Sequence, residues 1–195
     1  MKFIFCLFTF ILFLSEFDSA FATESEYIEI HEAFYPRIEL TLAGGLALQT
    51  GYLTTKASLG TYIFGVNFVM PGGLMSFDWQ GFHADHDTGE FPLNNNKSVT
   101  VSTFSFIPHV RVFNHEAWNA YVGLGFTQVS LYQTSPEYMV DYGSFVFSGL
   151  LRYELNNKWS VLYKTQWYNV NKTENDQKTS FEVWNHAIGA GYSFF

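Results

Sequence analysis

The chain of 195 residues carries 22 Phe, 12 Tyr and 5 Trp, so aromatic residues make up 20% of it while charged residues make up only 14%. That excludes a disordered acidic segment, which needs few aromatics and many charges, and a coiled coil, which needs abundant Ala, Glu, Lys and Leu. A net charge of −8 with only 10 Lys and Arg excludes a protein that grips nucleic-acid backbone.

Residues 1–22 have the form of a secretory signal peptide. Lys2 precedes an almost unbroken apolar stretch from Phe3 to Leu14, and Ala20-Phe21-Ala22 supplies a small-x-small pattern with cleavage expected after Ala22. The stretch falls short of the roughly 20 residues that a spanning helix needs. It also contains Cys6, the single cysteine of the chain, so the exported form holds no thiol and no disulfide. Residues 23–36 read as a periplasmic lead-in, in which Tyr27, Ile30 and Phe34 would line one face of a short helix among Glu24, Glu26, Glu29 and Glu32.

From residue 37 onward apolar residues recur at every second position, the template of a half-buried strand. In the first segment Ile38, Leu40, Leu42, Leu46 and Leu48 alternate with Arg37, Glu39, Thr41, Ala43, Ala47 and Gln49. A second segment covers residues 62–70. After Pro71-Gly72-Gly73, Met75, Phe77 and Trp79 are set against Ser76, Asp78 and Gln80. Residues 98–113 are rich in Val, Thr and Phe, but their apolar parity slips near Thr103-Phe104 and Pro108 interrupts the ladder. A β-bulge there is the expectation. Segments starting at Trp118, Phe145, Trp159 and Trp184 bring the number of strands to eight.

Connections alternate in length. Those at 71–73, 114–117 and 156–158 are tight, whereas those at 50–57, 84–97, 133–141 and 171–179 are longer and polar. Short turns alternating with long loops in an even antiparallel set predict an all-β, eight-stranded antiparallel up-and-down transmembrane barrel over residues 37–195. A soluble barrel would turn its apolar parity inward. Here that parity carries Trp, Phe, Tyr and Leu, and the other carries Gly, Ala, Ser and Thr with a few charges. Eight strands leave a narrow interior, so the small residues belong inside and the bulky ones on lipid. Trp118, Trp159, Tyr192 and Phe194 fall at the turn end, while Trp79, Tyr132, Tyr142, Trp167 and Trp184 fall toward the loop end. Two rings of aromatics at two membrane interfaces are thereby predicted.

The closing run Gly189-Ala190-Gly191-Tyr192-Ser193-Phe194-Phe195, with the signal peptide and the eight-strand rhythm, resembles the small bacterial outer-membrane barrels of the OmpA/OmpX and OmpW type. The resemblance spans the whole exported chain as pattern rather than identity. It implies residence in a Gram-negative outer membrane, contact with membrane lipid and lipopolysaccharide, and handling by the barrel-assembly machinery. In that family a terminal Phe with an aromatic two positions before it is implicated in recognition by the machinery. Tyr192, Phe194 and Phe195 supply aromatics here, with Ser193 standing two before the end.

Chemistry on the polar parity concentrates in one group. Arg37, Glu39, Arg111, Arg152 and Glu154 fall near the periplasmic end and point inward, with Asp78, His109 and Lys164 deeper. Buried charges require partners, and both signs are present. The group therefore reads as a network filling the lumen or, alternatively, as the lining of a narrow conduit for small solutes or ions. His83, Asp85, His86 and Asp87 cluster at the start of the longest loop, but their spacing matches no strong metal site, and no metal or cofactor is assigned.

The same residues with Ser98 would imitate the rim of a lipid-A-modifying enzyme. A PagP-type palmitoyltransferase likewise begins with an amphipathic helix, but the His-x-Ser-Asn stretch of a lipid-A deacylase is absent and no catalytic residue is assigned. The loops suit an extracellular ligand. Of the remaining histidines, His31 and His115 are expected at the aqueous periplasmic face, and His186 on the lipid-facing parity near the outer rim. The role predicted is structural or surface-interacting.

Overall fold

The computed structural model describes residues 37–51, 57–86, 97–134, 137–174 and 177–194. The expected signal peptide, the lead-in with His31, and Phe195 lie outside them. The strands are β1 (Arg37–Gly51), β2 (Ala57–Met70), β3 (Gly73–His86), β4 (Lys97–His115), β5 (Trp118–Thr134), β6 (Glu137–Glu154), β7 (Trp159–Glu174) and β8 (Gln177–Ser193). Each pairs antiparallel with the next, and β8 pairs with β1 from Glu39↔Ser193 to Gly51↔Phe181, closing the sheet into an up-and-down barrel. Closure leaves no edge in the lipid, where an unpaired backbone group has no water to bond. The fold is the eight-stranded transmembrane barrel that the alternation predicts.

Tight turns mark one end. Pro71 and Gly72 join β2 to β3, and Glu116 and Ala117 join β4 to β5, with Glu116 in the left-handed region at φ 53°. Between β6 and β7, Asn156 Oδ1 accepts the backbone N–H groups of Lys158 and Trp159, each at 2.9 Å. Exposed His115 stands beside the second of these turns.

Through the lower wall the parity runs as predicted. Glu39, Thr41 and Ala43 are buried in the lumen, while Leu42, Leu124, Phe145 and Ile188 are 63–67% exposed on the outside. A hydrocarbon solvent explains so much apolar surface outside; a soluble domain would aggregate through it.

Four expectations need correction. The β4–β5 ladder skips Ile107 and Pro108, as Pro108 predicts, but its register does not shift there or at Thr103; the bulge lies between Arg111 and Phe113, leaving Val112 and Phe113 both outward. The parity slip is instead a reversal of what faces inward. Val99 and Val101 are fully buried in the lumen, whereas Phe104 and Val110, on the other parity, face out. Secondly, the segments at 133–141 and 171–179 are mostly strand, because β5–β6 pair up to Thr134↔Glu137 and β7–β8 up to Glu174↔Gln177. Thirdly, Tyr142 does not join an outer ring. It is buried, and its ring meets Phe181 edge-on at 6.2 Å. Finally, His186 sits turnward of Trp184, within the lipid-facing wall rather than at the rim, where its Nδ1 bonds Tyr163 Oη at 2.8 Å.

The barrel divides at its loop end. The β2–β3 ladder stops at Tyr62↔Gly81 and the β6–β7 ladder at Val146↔Tyr168, although all four strands continue. Above those points β3–β4–β5–β6 and β7–β8–β1–β2 form two four-stranded sheets facing each other. Between them lies an apolar core that includes Phe82, Val101, Val129, Leu131, Tyr142, Val170, Phe181 and Val183. Their outer faces become mixed: Thr50, Gln128, Asp141 and Asn171 are exposed beside Leu48, Tyr132 and Met139. An apolar interior beneath such a face is the arrangement of a β-sandwich in water.

Candidate functional site

At the turn end the lumen is organised by one carboxylate. Period two along Arg37-Ile38-Glu39 turns Glu39 inward, where its side chain is 0% exposed. Glu39 Oε2 accepts Arg152 Nη2 at 2.7 Å, Arg152 Nε at 3.0 Å and Ser160 Oγ at 3.0 Å, while Oε1 accepts Asn67 Nδ2 at 3.2 Å. Ser193 Oγ donates to the same carboxylate at 3.5 Å, and Ser76 Oγ donates to Asn67 Oδ1 at 2.8 Å. Arg152 also pairs with Glu154, which accepts Arg37 Nη2 at 3.3 Å. The cluster thus grades from a dry hub at Glu39 to a wet rim at Arg37 and Glu154. Half-buried Arg111 has no carboxylate within pairing distance among the described residues.

Deeper in the barrel Asp78 Oδ2 accepts Lys164 Nζ at 2.5 Å and Gln166 Nε2 at 2.8 Å. His109, 1% exposed, bonds the Ile107 carbonyl through Nδ1 at 2.9 Å and Ser148 Oγ through Nε2 at 3.0 Å. A carbonyl only accepts, so Nδ1 carries the hydrogen that is donated to Ile107. Glycine makes room for these groups. A Cβ on Gly191 would stand 2.7 Å from Glu39 Cδ, and one on Gly65 would stand 2.6 Å from Asp78 Oδ1. Of the lumen residues singled out in sequence, all but Arg111 and His109 are joined by ion pairs. Sequence reasoning missed Asn67, Ser148, Ser160, Gln166 and Ser193, neutral partners whose only signal was their inward parity.

Above the charges comes a polar belt. The side-chain amides of Gln80 and Asn185 and the hydroxyl of Thr61 are buried and have no partner among the described residues. A buried amide is costly unless hydrogen-bonded, so this belt is the least satisfied layer of the lumen. The apolar core of the divided end closes over it.

Aromatics on the outer wall meet in pairs at two levels of the barrel. At the turn end the ring of Trp118 meets that of Tyr153 at 4.7 Å, Trp159 meets Tyr192 at 4.9 Å, and Tyr192 meets Phe194 at 5.0 Å. Higher up, Tyr62 meets Trp79 at 6.3 Å and Trp167 meets Trp184 at 6.0 Å. Trp79 Nε1 donates to Ser102 Oγ at 2.9 Å, giving an outward indole N–H its partner at the interface.

Of the histidine cluster, His83 is exposed and its Nδ1 lies 3.1 Å from Thr100 Oγ1. Asp87 and the side chains of Asp85, His86 and Ser98 lie outside the described residues. Among the described residues no group of three or more His, Cys, Asp or Glu is arranged to hold a metal ion.

No protein-family model and no curated protein matches this chain. Solved structures do match its fold. The crystal structure of Neisserial surface protein A superposes with a TM-score of 0.60 at 7% identity, covering 81% of this chain and 96% of that one. The outer membrane protein AlkL, determined by solid-state NMR in lipid bilayers, superposes with a TM-score of 0.52 at 14% identity, covering 83% of this chain and 91% of that one. At these identities the likeness is one of fold, that of a small eight-stranded outer-membrane barrel.

Proposed function

We propose that this chain resides in the outer membrane of a Gram-negative bacterium, exported by a cleaved signal peptide, with a structural or surface-interacting role. The observation that carries this reading is the filled lumen beneath a divided, water-facing head. Ion pairs occupy the turn end, an apolar core occupies the loop end, and neither leaves a path for large solutes. Polar residues on the outer surface above the upper aromatic level suit contact with the medium, and loops held on a rigid scaffold commonly carry binding. Lipid and lipopolysaccharide meet the apolar wall between the two levels. The aromatic end from Tyr192 through Phe194 to Phe195 is the segment read by the assembly machinery.

The reading is non-enzymatic, supported by the absence from the sequence of the His-x-Ser-Asn stretch of a lipid-A deacylase. Narrow conduction remains the rival role, with Arg37, Glu39, Asp78, His109, Arg111, Arg152, Glu154 and Lys164 as its lining. Two measurements test the proposal. Outer-membrane extraction followed by electrophoresis should show heat-modifiable migration, and recovery as a soluble periplasmic species would overturn it. The purified barrel in planar bilayers should pass no discrete current, and reproducible conductance steps would favour the conduit.

A further inference from the structure

Between the two levels of paired aromatics, the outward positions of β1 to β6 carry Leu, Val, Phe, Met, Ala, Pro or Gly. The polar side chains of this zone all fall on β7 and β8: Tyr163, Thr165 and His186. Register brings them together. Thr165 pairs directly with His186, and Tyr163 is the next outward residue of β7 toward the turns. Tyr163 Oη lies 2.8 Å from His186 Nδ1, and the two rings stack at 17° with centroids 6.2 Å apart. One outward step toward the loops stands the Trp167–Trp184 pair.

The His–Tyr pair has one hydrogen left to give. A neutral imidazole that accepts the phenol proton at Nδ1 carries its own hydrogen on Nε2, and one that donates from Nδ1 frees the phenol hydrogen. Neither His186 Nε2 nor Thr165 Oγ1 bonds a described residue. Water would meet such groups on a soluble surface, but hydrocarbon leaves them unsatisfied at a cost. Depth supplies a partner. His186 lies two residues below Trp184 on β8, about 7 Å along the strand and about 5 Å along the membrane normal at the tilt of barrel strands. Tryptophan marks the level of the head groups, so the spare donor stands where acyl chains are joined to them.

Resting on the reading that membrane lipid meets this wall, we infer that Tyr163, Thr165 and His186 form a site for one lipid of the loop-side leaflet, held through the carbonyl of an acyl ester. An ester carbonyl only accepts, which is what a spare hydrogen requires. His186 Nε2–H donates to it, Tyr163 gives its proton to Nδ1 and so fixes that tautomer, and the Thr165 hydroxyl is a second donor alongside. A second copy of this chain is the poorer occupant. Trp184 and Ile188, 44% and 67% exposed, flank half-buried His186 and keep another barrel's wall away from it, whereas an acyl chain can lie along them.

The test places the exported barrel, labelled in its histidine ring nitrogens, in vesicles of phosphatidylcholine labelled in its acyl carbonyl carbons. Solid-state NMR should show a carbonyl-to-nitrogen contact at one histidine, lost in His186→Phe and weakened in Tyr163→Phe. Both variants make the lipid-facing wall more apolar, and heat-modifiable migration verifies their folding. In native mass spectrometry the barrel should retain ether-linked phosphatidylcholine, which has no carbonyl, roughly fivefold less than the ester, the scale of one neutral hydrogen bond. Equal retention of the two lipids by the folded barrel, or no carbonyl contact at His186, overturns the site while leaving the membrane reading intact. A contact from His186 to a second copy of the chain instead of lipid overturns it as well. Loss of heat-modifiable migration in the unaltered protein would overturn the membrane reading and the site with it.

Discussion

The two ends of the lumen solve the same packing problem with opposite chemistry. At the turn end the wall faces lipid outside, so all polar partners of Glu39, Asp78 and Arg152 must come from within the barrel. At the loop end polar residues join the outer face, and the inside is filled with Val, Leu, Phe and Tyr. The interior of each region complements its outer surface. Burying charge is tolerated at Glu39, where a guanidinium, two hydroxyls and an amide meet the carboxylate, whereas Asp78 has donors on Oδ2 alone, and burying hydrocarbon is the simpler solution where water lies outside.

The largest loss of stability comes from removing one partner at the charged end. Arg152→Met leaves Glu39 buried with hydroxyl and amide donors alone, and should cost about 3–5 kcal/mol in urea unfolding from lipid vesicles. The double variant carrying Glu39→Leu as well should recover much of that loss. Next comes Leu124→Lys, on the lipid-facing wall of β5, at about 2–4 kcal/mol in the same assay. Val101→Thr sets a hydroxyl into the apolar core of the loop end and should cost about 1–3 kcal/mol, read best as faster hydrogen exchange in the upper β4 and β5. The smallest effect belongs to Gln128→Lys, on the outer face of β5 four residues above Leu124. It should cost under about 1 kcal/mol, because that position is near or beyond the interface. Equal penalties at 124 and 128 would remove the polarity reversal from which the water-facing head is argued.

Much of the lower barrel was legible because one rule governs it. Period two with bulky residues on one parity told inside from outside, and so assigned Glu39, Asp78, Arg152 and Lys164 to the lumen. The loop end was misread by applying that rule past its range. Tyr138, Val140 and Tyr142 share one parity and Met139 and Asp141 the other, a strand pattern whose sense is reversed. Taken with the lower rule it has no apolar outer face, and so looks like a polar loop. The slip at Thr103-Phe104 was the visible sign of the reversal: a continuous strand passing from one solvent to another mimics a bulge. Register is set by backbone pairing, and parity alone does not reveal it. The division of the barrel left no mark in the sequence, since a strand that loses a neighbour keeps its own alternation.

Glu39 has a meaning for assembly that its bonds imply. Its donors come from β2, β6, β7 and the last residue of β8, so the carboxylate is neutralised only when the first strand has met the last. Before that seam shuts, an anion waits without its guanidinium at the edge of a membrane. After it shuts, peeling β8 from β1 strips the carboxylate again. The same side chain thus makes the half-zipped barrel an unfavourable resting point in both directions, and gives the finished one a slow clock for coming apart.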